Sequence, residues 1–415
     1  MGNGEKFNLA WTFINDCEKI PDGFLFSGIS AGLKVSNAKD LALILSPPNS
    51  IFTGFFTNSA VRASCVDICI SRLQESFGLV RAIIINSGQA NACTGERGLD
   101  DSLAITKEVG GILGIPDNQI LICSTGVIGE YIPMKSLINK LPLLVKNLDE
   151  KNFKSVSEAI LTTDLVPKRF IIERSIAGRK VRIAGFAKGS GMIYPNMATM
   201  LAFIICDVGI EKNIWDGMIN NAMRSSFNSI SVDGETSTND SFIAINSGKP
   251  IDEQYLPIIN EGIDLVCKKL AKSIARDGEG ANCLIEVIVE NAKNESDALI
   301  IARSISNSML VKAAIHGCDP NWGRIIAAAG NTGIQFKIDD VDLFIGEFQI
   351  LRKGKLISFD KEKVSSYIKN KMNGDYLEND IVQIIFNLNH GESKGIAWGC
   401  DLSKKYVEIN SEYTT

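Results

Sequence analysis

KGSGMIYPNMATMLAF, residues 188–203, decides how the rest of the chain is read. Gly189 and Gly191 flank Ser190, and the chain then passes Pro195 and Asn196 into Ala198-Thr199. The apolar run from Met200 to Cys206 predicts a buried strand, so Thr199 stands at its mouth. Glycine and proline permit a strained, extended approach, and a hydroxyl on a rigid strand is a sensible place for a nucleophile. Threonine also favours pleated structure for its own sake, so the local pattern by itself is only suggestive.

Working outward, 415 residues with 45% hydrophobic and 22% charged side chains suit a soluble globular chain of two or more domains. A net charge of −5 with no Lys/Arg block gives no footprint for nucleic acid, so small-molecule chemistry is expected. No apolar run is long enough to span a bilayer, and MGNGEKFNLAWTF is not a signal sequence. Lys6 stands where a myristoylation site wants serine or threonine; a cytoplasmic protein, away from membranes, is expected. The ten cysteines are scattered without paired CxxC sets, which predicts reduced, mostly buried thiols. With His316 and His390 the only histidines, no metal site is expected.

Upstream of the opening stretch, strands alternate with helices. Asp40 to Leu45 and Val80 to Asn86 read as strands, Ser59 to Gln74 and Asp101 to Leu113 as helices. Asn86 to Gly95, NSGQANACTG, is a loop of small amides and glycines after a strand, suited either to a site or to a solvent-facing turn. In LICSTGVIG, Leu121 to Gly129, a strand runs into Ser124-Thr125-Gly126. There a glycine lets backbone N–H groups turn inward beside a hydroxyl, an arrangement able to hold an oxyanion, or else a plain strand-to-helix turn. A helix is predicted over Pro133 to Val145; Thr162, Thr163 and Asp164 then suit helix capping. Phe170 to Gly185 reads as a hairpin turning at Gly178.

Downstream, Ile214 to Phe227 is a predicted helix, and SISVDGETSTND, Ser229 to Asp240, is too polar for core and lacks the spacing of a calcium loop. A helix over Leu256 to Ile274 ends at Gly278 and Gly280, with Glu279 in the turn and a strand over Cys283 to Glu290. From about Asn291 the organisation changes to a smaller α+β unit. A helix over Ala298 to Ile315 is followed by HGCDPNWGR and by strands over Ile334 to Ile338, Val341 to Ile350, Ile381 to Asn387 and Lys405 to Ile409. On residue type alone Lys188 and Glu279 are solvated charges, and the end of the chain, with Asn410 and Thr415, is a fraying tail.

Taken together, these motifs resemble the ornithine acetyltransferase family, also called bifunctional glutamate N-acetyltransferase. The match extends from about Gly23 to Thr415 through at least six separated motifs in the expected order. It departs at Gln89, where asparagine is usual, at Leu165, where a further threonine is usual, and at Asn282 and Cys283, where threonine and lysine are usual. The resemblance implies an α+β fold: an αββα sandwich related to self-processing amidases, with a smaller C-terminal α+β domain. It further implies self-cleavage of the Ala198-Thr199 bond. Residues 1–198 become the α chain, 199–290 complete the sandwich, and 291–415 form the C-terminal domain, in an α2β2 assembly.

By the same resemblance Thr199 is the nucleophile, and Thr125 and Gly126 hold the oxyanion. Lys188, Glu279, one of Thr162 and Thr163, Asn410 and Thr415 contact substrate, while Asp319, Asn321 and Arg324 organise a turn. The implied reaction moves an acetyl group from N-acetyl-ornithine to glutamate by a ping-pong cycle without a cofactor, acetyl-CoA being a second donor in some members. Two other classes compete. A self-processing amidase or aminopeptidase shares the nucleophile but hydrolyses the acyl-enzyme; a non-catalytic assembly protein persists uncut. A Ser-His-Asp hydrolase is disfavoured because neither histidine sits in a nucleophile-elbow context.

Overall fold

The computed structural model describes residues 10–15, 17, 19–194 and 200–412. Ala198, Thr199 and Thr415, and with them the expected scissile bond, lie outside the described residues.

Two sheets stack face to face. The smaller runs β2 (Leu25–Ile29), β3 (Leu41–Leu45), β5 (Ala82–Gln89), β6 (Ile120–Val127). The larger runs β1 (Thr12–Phe13), β7 (Lys168–Ile176), β8 (Arg179–Lys188), β9 (Leu201–Cys206), β11 (Ser241–Asn246), β4 (Ile51–Phe56). Period-2 alternation explains why an unbroken apolar run forms β9: both its faces are covered. Leu201, Phe203 and Ile205 join the core between the sheets, against Ile44, Ile83 and Leu121. Ala202, Ile204 and Cys206 face the other way, toward α5 (Lys212–Ser225) and α6 (Leu256–Arg276). On the far side of the smaller sheet lie α1 (Ser64–Glu75), α2 (Gly95–Leu113) and α3 (Met134–Lys146). The layers are therefore α, β, β, α, and α4 (Phe153–Ala159) closes one end of the central core. Phe26, Phe153, Phe186 and Phe203 cross that core in successive ring contacts of 5.3, 5.5 and 4.9 Å.

A third sheet orders β10 (Ile230–Ser231), β17 (Ser393–Cys400), β12 (Leu284–Ala292), β16 (Ile381–Asn387), β13 (Asp342–Ile345), β14 (Phe348–Arg352), β15 (Lys355–Leu356). It packs against α7 (Glu295–Asn307), α8 (Met309–His316), α9 (Trp322–Gly330) and α10 (Lys361–Met372). The whole chain is α+β. All ten cysteines are free, seven of them buried. Among the described residues no single helix is long and apolar enough to cross a membrane.

The hairpin of β7 and β8 turns at Ala177 and Gly178, with φ of +50° and +78°, the pairing a two-residue hairpin turn requires. Four expectations fail. The strand over Val341 to Ile350 is a hairpin of β13 and β14 that turns at Gly346, with φ of +58°. The helix over Ala298 to Ile315 is two helices meeting at 55°, broken at Ser308, whose hydroxyl caps the second by accepting the Val311 N–H. Residues 334–337 join no sheet, and Ile338–Asp340 is a short 3-10 turn. The segment expected as a strand over Lys405 to Ile409 is instead α11 (Lys404–Glu412), where Asn410 Nδ2 donates to the Tyr406 carbonyl one turn back, at 3.0 Å.

Candidate active site

Strand β6 delivers Thr125 and Gly126, and β5 runs parallel to it with Gly88 directly opposite Gly126. Gly126 has φ +133°, and a Cβ there would lie 2.3 Å from the Gly88 carbonyl carbon, so this crossing admits glycine alone. Across the gap, β8 ends on Lys188, which is buried. Its Nζ donates to Thr125 Oγ1 at 3.3 Å. Burial pulls the Lys188 ammonium below its ordinary range, while Asp164, Asp240 and Glu279 support its charge and Lys168 opposes it.

Glu279 comes from the turn after α6. Its backbone N–H donates to the Ser190 carbonyl at 3.1 Å, and Asn410 Nδ2 of α11 donates to its Oε2 at 2.7 Å. Gly191 is bare for a reason: a Cβ there would stand 2.8 Å from the Glu279 carboxylate. Thr125, Gly126, Thr162, Thr163, Lys188, Glu279 and Asn410 line one cavity of about 200 Å³. Every expected site residue that is described thus converges on it, Thr162 and Thr163 together. Lys188 and Glu279 are buried rather than solvated, because each fills a site the fold closes around it. A larger cleft of about 770 Å³, beside Arg224, Asp264 and Arg303, contains none of them.

Residues that the sequence did not assign to the site hold this arrangement. Lys168 Nζ sits between Asp164 Oδ1 at 2.6 Å and Asp277 Oδ2 at 2.5 Å, all three side chains within 3% of full burial. Asp164 accepts the N–H groups of Gly189 and Thr162; Asp277 accepts that of Leu165. The trio therefore ties the threonine turn, the end of β8 and the end of α6 together. Although burial disfavours its charge, Lys168 and Lys188 hold the Asp164 carboxyl well below the usual carboxylate range. Lys34 Nζ donates to the Leu161 carbonyl at 2.6 Å, and burial pulls this ammonium down to about 8. Asn239 Nδ2 donates to the carbonyls of Ala90 and Ser124, fixing the loop of residues 231–240 to β5 and β6. In sequence, the spacing of Asp164 and Lys168 was the available signal; nothing linked them to Asp277, 109 residues away. Among the described residues no three His, Cys, Asp or Glu side chains are grouped to hold a metal ion.

A model of the ArgJ family matches residues 25–415. The chain belongs to the ArgJ family. As a member it is an acyltransferase. An "Arginine biosynthesis bifunctional protein ArgJ" from Prochlorococcus marinus subsp. pastoris is 65% identical over 402 residues, spanning 97% of this chain and 100% of that one. Among solved structures, the ArgJ protein of Bacillus halodurans aligns with TM-score 0.47 and 37% identity, over 51% of this chain and 98% of its own. Ornithine acetyltransferase of Mycobacterium tuberculosis, complexed with ornithine, aligns with TM-score 0.41 and 30% identity, over 46% of this chain and 100% of its own. The matched residues 25–415 include every residue that lines the cavity.

Proposed function

We propose that this ArgJ-family chain cuts itself at Ala198-Thr199 and then transfers acetyl from N2-acetyl-ornithine to glutamate, in arginine biosynthesis in the cytoplasm. The observation that carries this reading is the bipolar cavity, lined by the Thr125 hydroxyl, Gly126 and the Lys188 ammonium together with a carboxylate-amide pair, Glu279 and Asn410. An amino acid is complementary to such a cavity, carboxylate toward Lys188 and amine toward Glu279.

In the uncut chain the Thr199 hydroxyl oxygen attacks the Ala198 carbonyl carbon. The C–N bond breaks, nitrogen leaves as the Thr199 amine, and Ala198 is left as an ester on Thr199 Oγ. Water hydrolyses that ester, giving the Ala198 carboxylate and a free hydroxyl. The new α-amine has an ordinary pKa of about 7.7–8, so near neutrality a useful fraction accepts the hydroxyl proton without help from histidine. Thr199 Oγ then attacks the acetyl carbonyl, and the negative oxygen is met by the Thr125 hydroxyl and the Gly126 N–H. The C–N bond of the donor breaks, ornithine leaves with the proton, and the glutamate amine takes acetyl from the resulting ester. Acetyl-CoA is proposed as a second donor to the same hydroxyl, the Prochlorococcus relative being called a bifunctional protein. Residues 1–198 and 199–415 stay associated after the cut, as an α2β2 assembly.

Hydrolysis, as in a self-processing amidase, is the competing outcome; the covering of Glu279 by α11 favours transfer over entry of water. Denaturing gels, N-terminal sequencing and an acetyl-transfer assay test the proposal together. A fragment beginning at Thr199, glutamate-dependent loss of N-acetyl-ornithine, and absence of both in Thr199→Ala are expected. A new terminus elsewhere, or acetate as the main product, would overturn it.

A further inference from the structure

The polar loop of residues 231–240 lines the cavity through Asp233, Glu235 and Asn239 without a step assigned to it above, and it touches the chain on both sides of residues 195–199. On the upstream side the Asp233 carboxylate accepts two consecutive backbone N–H groups, Met192 at 2.7 Å and Ile193 at 3.0 Å. The Ile193 carbonyl in turn accepts the Val232 N–H at 2.9 Å. On the downstream side Asp240 Oδ1 accepts the Met200 N–H at 3.1 Å, and the Met200 carbonyl accepts the Ser241 N–H at 3.0 Å. Ile193 and Met200 are both buried, so these bonds are shielded from water. The loop is a rigid support in its own right: Asn239 bonds it to β5 and β6, and the Asp240 carbonyl accepts the Thr57 N–H.

We infer that Asp233 and Asp240 are positioning residues for the self-cleavage proposed above, each holding one flank of the scissile segment on a common support. The two grips have different lifetimes in the reaction. Once the Ala198-Thr199 bond is broken, Met192 and Ile193 belong to one chain and Met200 to the other. Met200 stays covalently bonded to Thr199, so the Asp240 grip continues to orient the nucleophile during transfer. The Asp233 grip has done its work when the upstream chain end is released. A carboxylate that accepts two N–H groups with two oxygens is not replaced by an amide, which offers one acceptor. Asp240 uses one oxygen on Met200, and among the described residues its Oδ2 has no hydrogen-bond partner; an asparagine can take its place.

The test compares, in the full chain, the rate of cutting on denaturing gels with the acetyl-transfer kcat per cut chain at saturating substrate. Asp233→Asn is expected to slow cutting roughly tenfold or more, the loss of one charge-assisted bond, and to slow transfer far less. Asp240→Leu is expected to slow both, and Asp240→Asn to recover most of each rate. Equal losses in both rates for Asp233→Asn, or Asp240→Asn as impaired as Asp240→Leu, would overturn the inference. Amide hydrogen exchange on the wild-type protein gives a check that needs no variant: slow exchange at Met192, Ile193 and Met200 is required, and fast exchange there defeats the proposal. Cutting at another bond would instead defeat the reading on which this one rests, and N-terminal sequencing separates the two failures.

Discussion

At Gly126, two roles meet in one residue, and they can be separated by experiment. Its N–H is the expected oxyanion donor, but its missing side chain is what lets β5 and β6 cross at Gly88. Gly126→Ala is therefore expected to cost at least about 2 kcal/mol of stability through backbone overlap, so its activity loss says little about the oxyanion. Thr125→Ala is the cleaner probe: transfer should fall roughly a hundredfold with an unchanged urea midpoint. Lys34 supplies a second residue-scale prediction. Its ammonium titrates at about 8 in the folded chain, chiefly because it is buried, against about 10.4 when unfolded. The folded state thus bears a cost below pH 8 that is relieved as pH rises toward 10.4. Urea unfolding at pH 7 and 9.5 should show the stability of wild type relative to Lys34→Met rising with pH; a falling difference would contradict the burial argument.

At the scale of elements, the turn of residues 161–168 is the joint of the site. Lys168 neutralises two buried carboxylates that grip three segments, so Lys168→Met leaves Asp277 without its buried ion-pair partner and Asp164 with Lys188 alone. A loss of about 3–5 kcal/mol is expected, measured by urea unfolding, and a loss below about 1 kcal/mol would show that the trio is not a unit. Elements also show what could be read in advance. Strand β9 was legible because an unbroken apolar run is a local signal, and so was the hairpin of β7 and β8 with its glycine turn. The break at Ser308 was not, because an apolar run on both sides of a serine keeps helical spacing. Helix α11 was missed because Tyr406, Val407 and Ile409 favour strands, whereas the Ser403 hydroxyl accepting the Lys405 N–H and the docking of Asn410 on Glu279 support the helix. The site residues themselves came from the family resemblance. Their supports Asp277, Asp233 and Asp240 accept backbone N–H groups far away in sequence, Lys168 donates to a carboxylate 109 residues on, and no periodicity carries that information.

For the whole molecule, the order of the larger sheet matters most. Strands β9 and β11, which follow residue 199, lie between β8 and β4, which precede it. Both cores that flank this sheet draw side chains from either side of the same point. Cut chains are therefore expected to co-elute on gel filtration and to unfold in a single denaturant transition seen alike by fluorescence and circular dichroism. Two separate transitions would mean that the halves are independent.

That interleaving also sets a timetable for a chain emerging from the ribosome. Strand β4 is made early, yet its neighbour is residues 241–246, and the carboxylate that grips Met200 is residue 240. A nascent chain halted at residue 230 already contains the bond between residues 198 and 199 but lacks both the neighbour and the grip. Under the proposed cleavage, severance would wait until translation has passed the point where the halves can no longer drift apart.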